Sequence, residues 1–121
     1  MGAFLHRHGR LPVKGALLLQ DGFPGIGNWM ADEILWRAQT HPRVPAGRIN
    51  GEQLRRLWRV LRWVSRRALA IIAKDYSDPP AGWLFNERWS RGGVCPVHRT
   101  LLRRATVGGR TTVWCAKCQP G

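Results

Sequence analysis

The stretch Cys95-Pro96-Val97-His98, followed after sixteen residues by Cys115-Ala116-Lys117-Cys118, decides how the end of this chain folds. Each x2 spacing suits a tight knuckle that points two side chains at one ion. The insert RTLLRRATVGGRTTVW is long enough for one short β-hairpin, which brings the two knuckles together. Three thiolates and one imidazole make a closed four-coordinate set suited to a structural Zn²⁺ ion. All three cysteines of the chain fall in this pattern. The alternative, that they are free or buried thiols and His98 is incidental, leaves the paired spacing unexplained.

Working outward, Arg99 to Val107 and Arg110 to Trp114 are expected as strands. Gly108-Gly109 between them supplies the positive φ that a tight hairpin turn needs. Arg110 is thereby placed at or beside the hairpin tip. An arginine there either solubilises the tip or contacts nucleic acid, and the charge of the whole chain favours contact. Twenty Lys and Arg stand against seven Asp and Glu, a formal net charge of +13 on 121 residues. A charge of that size on a small domain favours a polyanion, nucleic acid before an anionic membrane surface. Seven Trp show that the chain also builds a core, so it is not a disordered basic tail.

The segment before the finger is expected to be helical. Pro12 suits the first turn of a helix running to about Gln20, after a basic, frayed start from Met1 to Arg10. Asp21 to Gly27 is a break made of turn formers. A second helix is expected from Asn28, whose side chain would cap it, to about Gln39, with Met30, Ile34, Leu35 and Ala38 at helical spacing. His41-Pro42 ends it. Asn50 and Gln53 have the spacing of a capping box at the head of the longest helix. In that helix Leu54, Leu57, Trp58, Leu61, Val64, Ala68, Ile71 and Ile72 recur every three or four residues. Arg55, Arg59, Arg62 and Arg66 form a second stripe, either a solvated face or one turned to phosphates. Asp75 to Ala81 is a turn-rich linker. Trp83, Leu84, Phe85 and Trp89 after it are expected to seat the finger on the helices. The adjacent acids Asp32 and Glu33 point about 100° apart on a helix, so they form no facing acid/base pair and are read as favouring the helix N-terminus.

Ala16 to Leu19 is far too short an apolar run to span a bilayer. Three cysteines in metal spacing indicate a reducing compartment. The expected location is therefore intracellular, in the cytoplasm or, in a bacterium, at the nucleoid.

The residues Gln20-Asp-Gly-Phe-Pro-Gly-Ile-Gly-Asn28-Trp-Met-Ala-Asp-Glu-Ile-Leu-Trp36, followed by His41-Pro42, resemble the helix-two-turn-helix signature of the formamidopyrimidine-DNA glycosylase and endonuclease VIII family. Gly109-Arg-Thr-Thr112 and Trp114-Cys-Ala-Lys-Cys-Gln119 resemble that family's C-terminal zinc finger. The resemblance runs from about Leu11 to Gln119. It implies a mostly α fold, a helix-two-turn-helix body over residues 1–74, a linker over 75–90 and a β-hairpin zinc finger over 91–121. It also implies binding to double-stranded DNA, damaged or abasic, in base-excision repair. Asn28 and Arg110 would hold the phosphates flanking an extruded base, with Lys14 near the DNA. The zinc ligands would be Cys95, His98, Cys115 and Cys118.

Two departures from the family pattern stand out. The second ligand is His98 where most family fingers have a fourth cysteine. The family's β-rich catalytic half, which begins with a nucleophilic proline followed by glutamate, has no counterpart before Pro12. No catalytic residue is therefore assigned, this chain alone is expected to be inactive, and a separate catalytic domain is a possible partner. The alternative reading is a stand-alone structured-RNA or ribosome-associated module, since similar helix-two-turn-helix elements also serve RNA.

Overall fold

The computed structural model describes residues 2–19, 27–75, 79–89 and 91–121. Among the described residues four helices precede one hairpin: α1 (Gly2–Arg7), α2 (Val13–Leu17), α3 (Asn28–Arg37), α4 (Gly51–Asp75), β1 (Arg103–Val107) and β2 (Arg110–Trp114). Short 3₁₀ turns lie at Ala46–Arg48 and Leu84–Glu87. The fold is mostly helical with a C-terminal hairpin that carries the Cys/His cluster, as the sequence implies. Among the described residues no helix is long and apolar enough to cross a membrane.

Helix α4 begins with a reciprocal cap. The Gln53 amide donates to Asn50 Oδ1 at 2.8 Å, and the Asn50 amide donates to Gln53 Oε1 at 3.0 Å. Leu57, Leu61, Val64 and Ala68 on this helix are buried. Leu57, Leu61 and Val64 share the larger core with Leu5, Val13, Ala16, Leu17, Ala31, Ile34, Leu35 and Trp83. Trp58, expected in the apolar stripe, is 43% exposed instead. Ile71 and Ile72 lie outside the residues whose side chains are described, and so do Gln20 to Ile26 of the break.

Three local expectations are corrected. The N-terminal stretch is not frayed: α1 forms there because Leu5 is buried and the backbones of Gly9 and Gly47 meet, with the Gly47 amide donating to Gly9 O at 3.1 Å. The helix after Pro12 is only five residues long. The first strand begins at Arg103, not Arg99. Residues 95–100 are used by the first knuckle, whose Cys95 amide donates to Thr100 O at 2.8 Å, and Arg99 adopts φ +60°.

Helix α3 is the central element. Six consecutive residues, Ala31 to Trp36, are buried, so neighbours surround it on every side. Helix α4, strand β2 and the Leu84–Glu87 turn all pack against it. A second core joins Trp36 and Leu84 to Leu102, Val113 and the three cysteines. Of the four residues expected to seat the finger, Leu84 joins the core that holds the cysteines, Trp83 and Phe85 pack into the first core, and Trp89 is 60% exposed.

Candidate metal centre and basic interface

The two knuckles converge. One ligand atom each from Cys95, His98, Cys115 and Cys118 lies within 4.8 Å of the others. Cys95 Sγ is 3.7 Å from Cys118 Sγ, and His98 Nδ1 is 3.0 Å from Cys118 Sγ, 3.8 Å from Cys115 Sγ and 3.9 Å from Cys95 Sγ. A tetrahedral set with metal–sulfur bonds of about 2.3 Å has edges of roughly 3.8 Å, so this spacing fits a metal ion and is far too long for a disulfide. The backbone shapes each knuckle: the His98 amide points at Cys95 Sγ (3.4 Å) and the Cys118 amide at Cys115 Sγ (3.5 Å). Burial opposes ionisation of Cys115, yet hydrogen bonds from the Cys118 amide, the Thr100 hydroxyl and the Lys117 amide bring its thiol down to about 6. Burial, and then the neighbouring sulfurs, push Cys118 up to about 12. Three adjacent sulfurs cannot all carry charge unless a cation stands between them. The cluster can hold a metal ion.

The hairpin delivers Arg110 to the start of α3. Arg110 opens β2 opposite Val107, across a turn in which Gly108 and Gly109 take φ +63° and +80°. A Cβ on Gly108 would stand 2.7 Å from Gly15 Cα, so the turn rests directly on α2. Asn28 Nδ2 donates to the carbonyl of Thr111 at 3.0 Å across 83 residues of sequence. This bond pins the first residue of α3 beside Arg110. The expected cap is not formed by Asn28: Gly27 takes the cap position, and among the described residues no side chain caps the helix. The leading N–H groups of a ten-residue helix are therefore left without a side-chain cap beside an exposed arginine, an arrangement that favours an anion. Among the described residues Asn28 Oδ1 is buried without a hydrogen-bond partner. Gly27 is extended, with open space where a Cβ would be; Gly25 and Ile26 lie outside the described residues.

Lys14 lies beneath this surface and not on it. It is fully buried, ion-paired to Asp32 Oδ1 and donating to Thr112 Oγ1 at 2.9 Å. Burial lowers its pKa; Asp32 opposes the shift, while Arg88 and Arg110 add to it. The geometry makes Lys14 a support under the hairpin.

Sequence reasoning missed the polar core that fixes this corner. Asp32 Oδ2 accepts from Arg88 Nη2 at 2.9 Å and from the Val113 amide at 3.2 Å. Glu33 accepts from the Leu84 and Phe85 amides at 3.0 and 2.9 Å and from Arg37 Nε at 3.0 Å. The two acids do point in different directions, as adjacent helical residues must, but each is a buried staple and neither serves the helix start. The available signal was their place within an otherwise apolar run, where a carboxylate needs partners. Gln119 makes a third tie, accepting from the Cys115 amide and donating to Thr40 O, both at 2.9 Å.

Comparison with known proteins places this geometry. The profile of the formamidopyrimidine-DNA glycosylase H2TH domain matches residues 3–78. The chain is 34% identical over 110 residues to formamidopyrimidine-DNA glycosylase of Arabidopsis thaliana, covering 91% of this chain and 28% of that one. It is 37% identical over 130 residues to the enzyme of Bordetella petrii, covering 98% and 47%. The crystal structure of the Thermus thermophilus MutM (Fpg) protein superposes with a TM-score of 0.75 at 32% identity, covering 98% of this chain and 50% of that chain. A complex of Lactococcus lactis Fpg with abasic-site DNA shares the fold, with a TM-score of 0.78 at 21% identity. The chain spans less than half the length of these two curated relatives.

Proposed function

This chain belongs to the formamidopyrimidine-DNA glycosylase H2TH family, and from that premise we propose that it is the DNA-holding half of a base-excision-repair glycosylase. The observation that carries the reading is the Asn28–Thr111 hydrogen bond. It joins the uncapped start of α3 to the hairpin that presents Arg110. Asn28 and Arg110 then act as a two-point clamp on the phosphates beside a damaged or abasic site in duplex DNA. Lys14 acts through Thr112 and Asp32 by holding the hairpin at the right height. The +13 charge draws the duplex in.

The cluster of Cys95, His98, Cys115 and Cys118 holds one structural Zn²⁺. Its three sulfurs and one nitrogen suit zinc, and the ion with its three thiolates would leave a formal site charge of about −1, lower in magnitude than with four thiolates. The ion supplies folding free energy to a finger too small to bury a core of its own. We assign residues 1–74 to the helical DNA-binding body, 75–90 to the connection and 91–121 to the finger. Base removal and strand cleavage need an amine poised at the sugar and a group to move protons. The described residues present phosphate-binding groups and no such pair, so that chemistry belongs to a separate catalytic domain. The site of action is inside the cell, where the DNA is.

The test is duplex binding. Fluorescence anisotropy with abasic-analogue duplex, intact duplex and a folded RNA should rank the abasic duplex first. The log–log salt slope should be about −0.9 per phosphate neutralised. Asn28→Ala and Arg110→Ala should each weaken abasic-duplex binding by roughly tenfold or more. Unchanged binding by both variants would remove the clamp, and preference for the RNA would favour the structured-RNA reading.

A further inference from the structure

One face of α4 serves neither of the sites described above. Trp58 and Trp63 are 43% and 41% exposed there, although large aromatics left facing water are costly. With Arg59, Arg62, Arg66 and Arg67 they line a groove of about 640 Å³. Trp63 lies against Arg37, at the C-terminal end of α3, while Asn28 opens that helix at the other end, about 14 Å away along its axis. Among the described residues the ion pairs belong to Lys14, Arg37, Arg56 and Arg88, so the four groove arginines face no carboxylate of their own.

We infer that this groove docks an acidic amphipathic segment of a protein partner. Its apolar side chains would lie on Trp58 and Trp63, and its carboxylates would pair with the arginines. Charge complementarity selects an acidic ligand: planar guanidinium groups receive carboxylates two bonds at a time. The tryptophans select a peptide over a nucleic acid strand. The Trp63 ring already has Arg37 at 4.8 Å, Arg67 at 5.3 Å and Trp83 at 5.6 Å from its centre. The positions a stacking base would need on Trp63 are thus taken, and Arg67 is held in place for an incoming acid. Aliphatic side chains need no free ring face and can settle against the exposed tryptophan edges. Helix-in-groove recognition combines such apolar anchors with charged rims, and Trp and Arg are the residues that dominate binding energy at protein interfaces.

The experiment uses the full chain and three fluorescein-labelled probes. One is a peptide with Leu at helical spacing and Glu elsewhere, one is its scrambled isomer, and one is an oligothymidylate of equal charge. Anisotropy should show the patterned peptide binding at least about tenfold more tightly than its scrambled isomer. Trp58→Ala removes no charge, and it should weaken patterned-peptide binding by about tenfold while changing oligothymidylate binding less than twofold. Arg62→Gln with Arg66→Gln should also weaken the patterned peptide, with far-UV circular dichroism confirming that α4 is intact. Equal binding of the two peptides would overturn the inference, as would an unchanged affinity in Trp58→Ala. An equal loss of oligothymidylate binding in Trp58→Ala would assign the groove to nucleic acid instead.

Discussion

The backbone amide of Val113 donates to the carboxylate of Asp32 at 3.2 Å, so an acid on α3 holds the hairpin by its main chain. The other bonds of that carboxylate go to Lys14 and Arg88, both buried. Asp32→Ala leaves two cations facing each other without water. The expected cost is about 3–5 kcal/mol, as for any buried ion pair robbed of one partner. Urea unfolding compared with Asp32→Asn, which keeps an acceptor for the Val113 amide, measures how much of that cost is charge.

Gly108 and Gly109 both have positive φ, but only Gly108 is crowded. Gly109→Ala should cost about 1 kcal/mol, the ordinary strain of a side chain in that conformation. Gly108→Ala adds a Cβ at 2.7 Å from Gly15 Cα and should cost more, because the hairpin must lift off α2. Parallel denaturation of the two variants tests the docking contact directly.

Elemental analysis of the purified protein should find one zinc per chain. Cys115→Ala should lose it, whereas His98→Cys should keep it, since a fourth thiolate completes the same tetrahedron. Chelation should unfold the hairpin and preserve most of the far-UV helical signal. The summed tryptophan fluorescence should also change, because Trp36 shares a core with the three cysteines.

Burial pushes Glu33 above its usual value of 4.5, against the hydrogen bonds from Leu84, Phe85 and Arg37 that favour the ionised form. The folded chain therefore holds this proton to higher pH than the unfolded chain does. The sign follows from linkage: the contribution of Glu33 to stability is full below 4.5 and declines as pH rises through its folded pKa. Glu33→Gln should remove that decline. Unfolding free energies of parent and variant across the acidic and neutral range should converge at the low end and separate, in the variant's favour, above it. A gap that runs the other way would show that the hydrogen bonds outweigh burial.

Local signals in the sequence were reliable where a motif closes on itself. The Asn50/Gln53 cap, the Gly108-Gly109 turn and the two x2 ligand pairs each depend on a few neighbouring residues, and each is where the spacing puts it. What escaped depends on partners far along the chain. Helix α1 exists because Leu5 and Gly9 meet residues near position 47, and nothing within Met1 to Arg10 announces that. Asn28 has a good capping side chain, but the carbonyl of Thr111 claims it instead. Asp32 and Glu33 read as acids serving the helix start, and their apolar neighbours announce burial without naming Arg88, Val113, Leu84 and Phe85 as the partners. Trp58 fits the helical period and still faces water, because periodicity gives a direction and not a neighbour.

Trp83 and Leu84 are consecutive residues buried in two different cores. A single peptide unit thus spans the boundary between the two cores, with the Leu84 amide itself bonded to Glu33. That crossing has no slack. Although it is made of turns and sits beside prolines, one residue more or fewer would unseat a large side chain on one side or the other. Length variation among relatives should therefore accumulate before Gly82 and after Glu87, and the few residues between them should behave as a ruler of fixed count.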